Sequence, residues 1–216
     1  METVSLWAWL SLVLVSYLIG GIPTSYAATR LLSGRDIRQL GDHNAGAANV
    51  YRNVGPRAGL IVGAVDVIKG VVAVVLVRAL ADSTALEMSA GVAAMAGHNW
   101  PVFQGLRGGR GAATAIGVLL AMLPVLAVPA GALTLAVLYL TKKATPALGF
   151  FLITVPVLSW ISTVLSWPAE YSYALATYSV GLPVMVGMTH YLSTRKFAPG
   201  RPGEPAAGDE PALPGG

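Results

Sequence analysis

Residues 111–141 read GAATAIGVLLAMLPVLAVPAGALTLAVLYLT and contain no charged side chain. A helix that crosses the ~30 Å hydrocarbon core of a bilayer needs about 20 mostly apolar residues. This stretch is therefore long enough for one tilted span, or for two short spans that meet at Pro124–Pro129. Proline breaks a helix because it removes a hydrogen-bond donor and clashes with the preceding turn. The choice between one span and two fixes the topology of the whole chain.

The composition of the 216 residues is that of a membrane protein. Hydrophobic residues make up 55% of the chain and charged residues only 11%, whereas an ordinary soluble domain has about 25% charged residues. These proportions argue against a soluble enzyme, a disordered chain and a nucleic-acid-binding module. The chain has no cysteine, which excludes disulfides, a thiolate nucleophile and cysteine-ligated metals. The net charge of +4 belongs to the loops between long apolar stretches.

Five other apolar stretches predict membrane spans: residues 6–26, 59–77, 85–98, 144–169 and 171–190. The first is not a cleavable signal peptide, because Glu2 precedes it instead of a basic cluster and the apolar run is too long. Asp66 and Lys69 lie inside the second span, three residues apart on one helix face. We interpret them as an intramembrane ion pair; the alternative is a proton or ion relay.

The distribution of Lys and Arg between the loops decides the number of spans, because short cytoplasmic loops are enriched in these residues. Positive charge gathers in residues 30–57, 107–110, 142–143 and 195–196, whereas the segments around 78–87 and Glu170 are negative. All positive segments fall on one side only if residues 111–141 cross twice. The sequence therefore predicts an all-α, polytopic membrane helix bundle of about seven transmembrane helices, with the N-terminus outside and the C-terminus cytoplasmic. One tilted span, giving six crossings, is the alternative.

Two regions follow from this pattern. Residues 1–197 form the predicted membrane domain. Residues 198–216 are rich in Pro, Gly and Ala, have little apolar surface to bury, and are predicted to be a disordered tail.

Three polar, glycine-rich segments fall on the predicted cytoplasmic side. The first is GRDIRQLGDHNAGAANVYRNVG (34–55), where small residues let backbone N–H groups approach a ligand while Asn and Arg side chains donate hydrogen bonds. The second is GHNWPVFQGLRGGRGAAT (97–114), where glycines around Arg110 lead directly into an apolar helix, a setting typical of anion binding. The third is THYLSTRKFAPG (189–200), which contains His190. The simpler alternative is solvated loops that carry topology charges.

Taken together, these motifs resemble the bacterial acyl-phosphate:glycerol-3-phosphate acyltransferases, the PlsY family. The resemblance rests on GGIPTSY (20–26), DVIKG (66–70) and the first two polar segments, and it covers the chain apart from the tail. It implies an integral membrane enzyme with cytoplasmic active-site loops. Such an enzyme moves a fatty acyl group from acyl phosphate to the 1-hydroxyl of glycerol 3-phosphate, giving lysophosphatidate and phosphate in membrane phospholipid biosynthesis.

The resemblance further implies a monomer in the lipid of the cell membrane. Its partners would be the two substrates, with no nucleic acid, no cofactor and no metal. The chain departs from the family pattern at several positions. Asp42 stands for a serine, Ala48 for a threonine and Ser193 for an asparagine, while the two motif lysines are Arg107 and Arg110. Asp42 places a negative charge where two anionic substrates are expected, so a related acyltransferase with a different acceptor remains an alternative.

Acyl phosphate is an activated mixed anhydride, so the enzyme needs no nucleophile of its own. It must instead hold two phosphate-bearing molecules together against their mutual repulsion, with fixed cations and oriented donors. The expected catalytic residues are His98, Arg52, Asn44, Asn49 and His190. The expected phosphate-binding residues are Arg107, Gly108, Gly109, Arg110, Gly111 and Thr114. A histidine would accept or orient the hydroxyl proton, unless a substrate phosphate oxygen is the base.

A transporter for an organic phosphate is the alternative from another functional class. The charged residues of the second span and the broken stretch 111–141 favour it. The clustering of the polar motifs at one membrane face and the lack of an internal repeat argue against it.

Overall fold

The computed structural model describes residues 4–167 and 171–196, and in that part of the chain every regular element is helical. This confirms the all-α prediction for the described residues. The α-helices of the described residues are α1 (Leu6–Gly20), α2 (Thr24–Ser33), α3 (Ala47–Asn53), α4 (Pro56–Leu80), α5 (Thr84–Asn99), α6 (Ala112–Met122), α7 (Pro124–Thr141), α8 (Ala144–Val164) and α9 (Tyr173–Lys196). Short 3₁₀ turns lie at Ile37–Gln39 and Val102–Gln104. The predicted tail, 198–216, lies outside the described residues.

The uncharged stretch 111–141 forms two helices, α6 and α7, that separate at Leu123. Pro124 is the first residue of α7, a position that proline tolerates because the N–H it lacks would have no acceptor in the helix. Pro129 remains inside α7. The predicted break is therefore present, and it lies at Pro124 rather than between the two prolines.

Four helical segments are long and apolar enough to cross a membrane: residues 6–33, 56–80, 124–141 and 144–164. The first of them is divided by Gly21–Pro23 into α1 and α2, so the predicted first span ends as a regular helix at Gly20. The predicted spans 85–98 and 171–190 coincide with α5 and α9. Helix α6 is apolar but has only 11 residues.

Glycines allow two pairs of helices to pack backbone to backbone, as is usual in membranes. At the α4–α6 crossing, a Cβ on Gly117 would strike the carbonyl of Val67, and one on Gly70 would strike the carbonyl of Thr114. At the α1–α5 crossing, a Cβ on Gly97 would likewise strike the carbonyl of Tyr17. These contacts join the middle of α4 to α6, and the carboxyl end of α5 to that of α1.

The first polar segment is fixed to the bundle by its own apolar cluster. Ile37, Leu40 and Val50 are buried against Val62 of α4, with Ala45 completing the cluster. A larger core that includes Met95, Leu119 and Phe151 runs through α4–α9. The first segment is thus a packed layer of loop and short helix beside the amino end of α4.

Asp66 and Lys69 form the predicted buried ion pair. Lys69 Nζ lies 2.8 Å from Asp66 Oδ1, and both side chains are at most 3% exposed. Lys69 also donates to the carbonyl of Ile22 and to Thr24 Oγ1, and the Thr24 hydroxyl donates to Asp66 Oδ1 at 2.6 Å. The pair therefore ties α4 to the junction between α1 and α2.

Candidate active site

A cavity of about 680 Å³ opens where the three polar segments meet. The first segment contributes residues 38, 42, 43 and 44 to its lining, the second contributes 99, 100 and 106–109, and α9 contributes 189, 192 and 193. The separated motifs of the sequence therefore converge on one space. Its volume lies within the range of ordinary small-molecule sites, about 300–1,000 Å³.

Two arginines from distant parts of the chain meet at one carboxylate in this region. Arg52 Nη2 on α3 and Arg110 Nη1 just before α6 each lie 3.2 Å from Asp42 Oδ2. The Arg110 side chain is 18% exposed and that of Arg52 54% exposed. Arg107 lines the cavity itself, as does Arg38, and Arg107 has no acidic partner within 4.0 Å among the described residues. Arg52 and Arg110 lie one residue behind the lining, at the Asp42 carboxylate.

Asn49 supports the first segment from inside. It is fully buried, and its Nδ2 donates to the carbonyls of Ile37, Leu40 and Asn44 at 3.2, 2.8 and 2.9 Å. A buried amide must satisfy its donors, and here the loop carbonyls do so. The Asn49 carboxamide therefore holds the loop in shape, whereas Asn44 lines the cavity.

The backbone N–H groups of Gly108 and Gly109 bind carbonyls within the protein, although the sequence suggested that they bind phosphate. The N–H groups of Gly108 and Gly109 donate to the carbonyls of Asn99 and His98, each at 3.1 Å. The last carbonyls of a helix have no partner within it, and these two glycines supply donors for the end of α5. Their N–H groups are thus not aimed at a phosphate.

The start of α6 keeps its donors. Gly111 adopts a left-handed conformation, with φ 80°, immediately before the helix, and the N–H groups of a helix N-terminus favour an anion. Thr114 lies one turn further along, fully buried. Its carbonyl faces Gly70 of α4, so Thr114 belongs to the helix crossing and not to the cavity lining.

The two candidate histidines occupy different surroundings. His98 is buried, with Nδ1 3.7 Å from Asp66 Oδ1 and its ring against Gly109. It lines a cavity of about 10 Å³ beside the main one, room for about one water. His190 is exposed and does not line the main cavity. A helix turns about 100° per residue, and α9 instead directs Thr189 and Ser193 toward the cavity.

Four residues that the sequence analysis did not assign help to build the site. Thr189 Oγ1 lies 3.0 Å from the carbonyl oxygen of Arg110, which places α9 against the second segment. Arg38 Nη1 donates to the carbonyl of Gln104 at 3.0 Å, which connects the first segment to the second. Asn99 is buried at the cavity, and Asp42 accepts from Arg110 and forms an ion pair with Arg52. The one local signal for Arg38 in the sequence was the acidic residue Asp36, two positions before it.

Arg38 is itself held by Asp36, with Nη2 2.6 Å from Oδ2. Hydrogen bonding to the guanidinium lowers the pKa of the Asp36 carboxyl, and the same contact raises the pKa of Arg38. The guanidinium also lies 5.4 Å from the centre of the Tyr26 ring. Arg38 is thus fixed as a structural bridge at the cavity wall.

Comparison with known proteins adds independent evidence. A family model described as glycerol-3-phosphate acyltransferase matches residues 10–198. Glycerol-3-phosphate acyltransferase 4 of Dehalococcoides mccartyi is 44% identical over 188 residues, covering 85% of this chain and 96% of that protein. The glycerol-3-phosphate acyltransferase of Halalkalibacterium halodurans is 39% identical over 168 residues, covering 76% and 81%.

Solved structures agree with the sequence relatives. The crystal structure of PlsY (YgiH), an integral membrane glycerol 3-phosphate acyltransferase, in its glycerol 3-phosphate form superposes with a TM-score of 0.72 at 26% identity. The match covers 88% of this chain and 92% of that one.

Proposed function

Because the chain belongs to the glycerol-3-phosphate acyltransferase family, we propose that it transfers a fatty acyl group from acyl phosphate to the 1-hydroxyl of glycerol 3-phosphate. The products are lysophosphatidate and inorganic phosphate. The chain is an integral membrane acyltransferase of phospholipid biosynthesis.

The observation that carries this proposal is the convergence of Arg52 and Arg110 on one carboxylate oxygen beside the cavity. A guanidinium that binds a carboxylate is equally suited to a phosphate oxygen. Two anionic substrates repel one another, and cations held by separate, packed segments offset that repulsion without reorganising during the reaction. Arg107, also at the cavity, adds a third guanidinium for the second phosphate.

The reaction consists of one acyl transfer without an enzyme-bound intermediate. The acceptor oxygen forms a bond to the acyl carbon, the bond from that carbon to the phosphate oxygen breaks, and phosphate leaves with the electron pair. The arginines stabilise the charge that develops on the leaving phosphate, and the Asn44 amide at the cavity donates to the carbonyl oxygen. Since His190 lies off the cavity and His98 behind Gly109, a substrate phosphate oxygen accepts the proton.

The same proposal includes the membrane topology: seven crossings, the N-terminus outside, the C-terminus and the site at the cytoplasmic face of the cell membrane, and a monomer in lipid. Arg78, at the end of α4, pairs with Glu87, at the start of α5, with Nε 2.9 Å from Oε2. This pair lies at the ends of α4 and α5 opposite the arginine-rich cavity, in agreement with the positive-inside rule. At 1.5 Å per residue, α6 is only about 16 Å long, so it crosses with the help of its neighbours.

The side of the membrane on which a residue lies can be measured by thiol labelling of an introduced cysteine. The native chain has no cysteine, so it gives no background labelling. Ala48→Cys, in the first polar segment, and Asp82→Cys, at the end of α4, are each exposed positions. In sealed vesicles of known orientation, an impermeant thiol reagent should label the first only from the cytoplasmic side and the second only from the opposite side. Labelling of both from one side would overturn the topology.

Activity is tested with detergent-purified protein, palmitoyl phosphate and glycerol 3-phosphate. We expect equal amounts of phosphate and lysophosphatidate, and loss of most turnover in Arg52→Ala and Arg110→Ala. Arg57→Ala is the matched control, because Arg57 is exposed at the start of α4 and, unlike Arg52 and Arg110, makes no ion pair with Asp42. A transporter would release no product, and full activity in both site variants would remove the site assignment.

A further inference from the structure

Asp42 gives the arginine pair an anion that belongs to the protein itself. Its Oδ2 lies 3.2 Å from Arg52 Nη2 and 3.2 Å from Arg110 Nη1, and the residue lines the cavity. One carboxylate oxygen therefore bridges two guanidiniums from separate segments. This is the arrangement that a phosphate oxygen would adopt on the same donors.

The carboxylate has few other attachments. Asp42 Oδ1 has no hydrogen-bond partner among the described residues. The backbone around it is a turn in which Gly41 and His43 have φ values of 55° and 56°, and His43 N donates to the carbonyl of Leu40. The turn is thus fixed by its backbone, whereas the carboxylate is held by the arginines alone and can leave them by rotating its own side chain.

The two arginines differ in how firmly they are held. The Arg110 side chain is 18% exposed and lies directly before α6. The Arg52 side chain, on α3, is 54% exposed, and Asp42 is its acidic partner within 4.0 Å among the described residues. When Asp42 rotates away, Arg110 stays at the site and Arg52 turns toward the incoming anion.

We propose that Asp42 sets the affinity of this site for anions, because its carboxylate competes with the phosphate of the substrate for Arg52 and Arg110. The inference rests on the proposed function, since it assigns the arginine pair to a substrate phosphate. A phosphate that uses both guanidiniums displaces the carboxylate, and its observed affinity is lowered by the stability of the internal contact.

The competition also decides which ligands bind measurably. A phosphate monoester carries about −1.5 to −2 charges near neutral pH, so it gains attraction when it replaces a carboxylate. A ligand with a single carboxylate, such as glycerate, exchanges one carboxylate for another and gains nothing. The internal contact lowers the affinity of both ligands by the same factor, so the weaker carboxylate ligand falls below measurable binding first.

The size of the effect follows from the exposure of the contacts. Asp42 and Arg52 are 35% and 54% exposed, and ion pairs of this kind are individually weak. Two such contacts correspond to between about twofold and thirtyfold in the apparent dissociation constant of phosphate. Removing the charge of Asp42 should strengthen phosphate binding by a factor in this range.

The test compares the native protein with Asp42→Asn and Asp42→Ser, using calorimetric binding of inorganic phosphate and of glycerate. Both variants should bind phosphate more tightly, should gain measurable glycerate binding, and should show a lower KM for glycerol 3-phosphate. Asp42→Glu keeps the charge and should remain close to the native protein. Asp82→Asn removes the same charge at the far end of α4, where the side chain is exposed, and should change none of these constants.

Three outcomes would overturn the inference. Phosphate binding could be unchanged in both uncharged variants, it could weaken in both although thermal unfolding shows them folded, or kcat could collapse while KM stays the same, which would make Asp42 a proton acceptor. Failure of the proposed function is recognised separately. A native protein without turnover, combined with tighter phosphate binding in Asp42→Asn, would refute the reaction and leave the competition standing.

Discussion

Lys69→Met removes the cation from the most deeply buried ion pair of the described residues. Methionine fills similar space but leaves the Asp66 carboxylate, which is 1% exposed, without its ammonium partner. Breaking a buried pair from one side costs about 3–5 kcal/mol. The Thr24 hydroxyl remains 2.6 Å from Asp66 Oδ1, and the His98 ring lies 3.7 Å away. These two neighbours place the expected loss of unfolding free energy at the lower end, about 3 kcal/mol.

The assay is a double-mutant cycle with Asp66→Asn, measured by unfolding in detergent. Asp66→Asn alone leaves the ammonium buried with Ile22 and Thr24 as acceptors. The double variant Asp66→Asn/Lys69→Met removes both charges and should be more stable than Lys69→Met alone. A loss below about 1 kcal/mol for Lys69→Met, or strictly additive effects, would refute the interpretation as a structural ion pair. Unchanged stability with abolished turnover would indicate a relay instead.

The remaining predictions concern backbone contacts near the site. Gly117→Ala places a methyl group against the carbonyl of Val67 and should cost about 1–3 kcal/mol in detergent unfolding; Gly149→Ala, which has open space, is the control and should change stability little. Asn49→Ala removes the side-chain donor that the carbonyls of Ile37, Leu40 and Asn44 share and should cost about 1–3 kcal/mol, with a raised KM for glycerol 3-phosphate. Gly109→Ala drives a methyl group toward the His98 ring and should lower kcat/KM about 10- to 100-fold; unchanged kinetics would show that the segment tolerates displacement.

The helices were accessible from sequence because their signals are local. A long uncharged stretch predicts a helix, and Pro124 fixes where α6 and α7 separate, since its missing N–H is harmless only at a helix start. The pairing of Asp66 with Lys69 was equally local, because residues three apart share a helix face. Charge distribution then suggested that Arg52 and Arg110 lie on one side, and the structure places both beside Asp42.

The roles of individual polar groups were less accessible, because they depend on neighbours distant in sequence. The pattern of Gly108 and Gly109 resembles an anion-binding loop, but the end of α5 requires donors and takes their N–H groups. Asn49 resembles a catalytic amide in sequence, yet the loop folds around it and uses its carboxamide internally. Only the packed structure distinguishes a side chain that faces the cavity from one that holds the loop in shape.

The most direct test of the shared phosphate pocket is an experimental structure of the full chain with glycerol 3-phosphate and a non-hydrolysable acyl phosphate analogue. We expect guanidinium nitrogens of both Arg52 and Arg110 about 2.7–2.9 Å from phosphate oxygens, with the Asp42 carboxylate rotated away from them. Phosphates bound beyond the reach of both arginines, or the two arginines at separate sites, would contradict it.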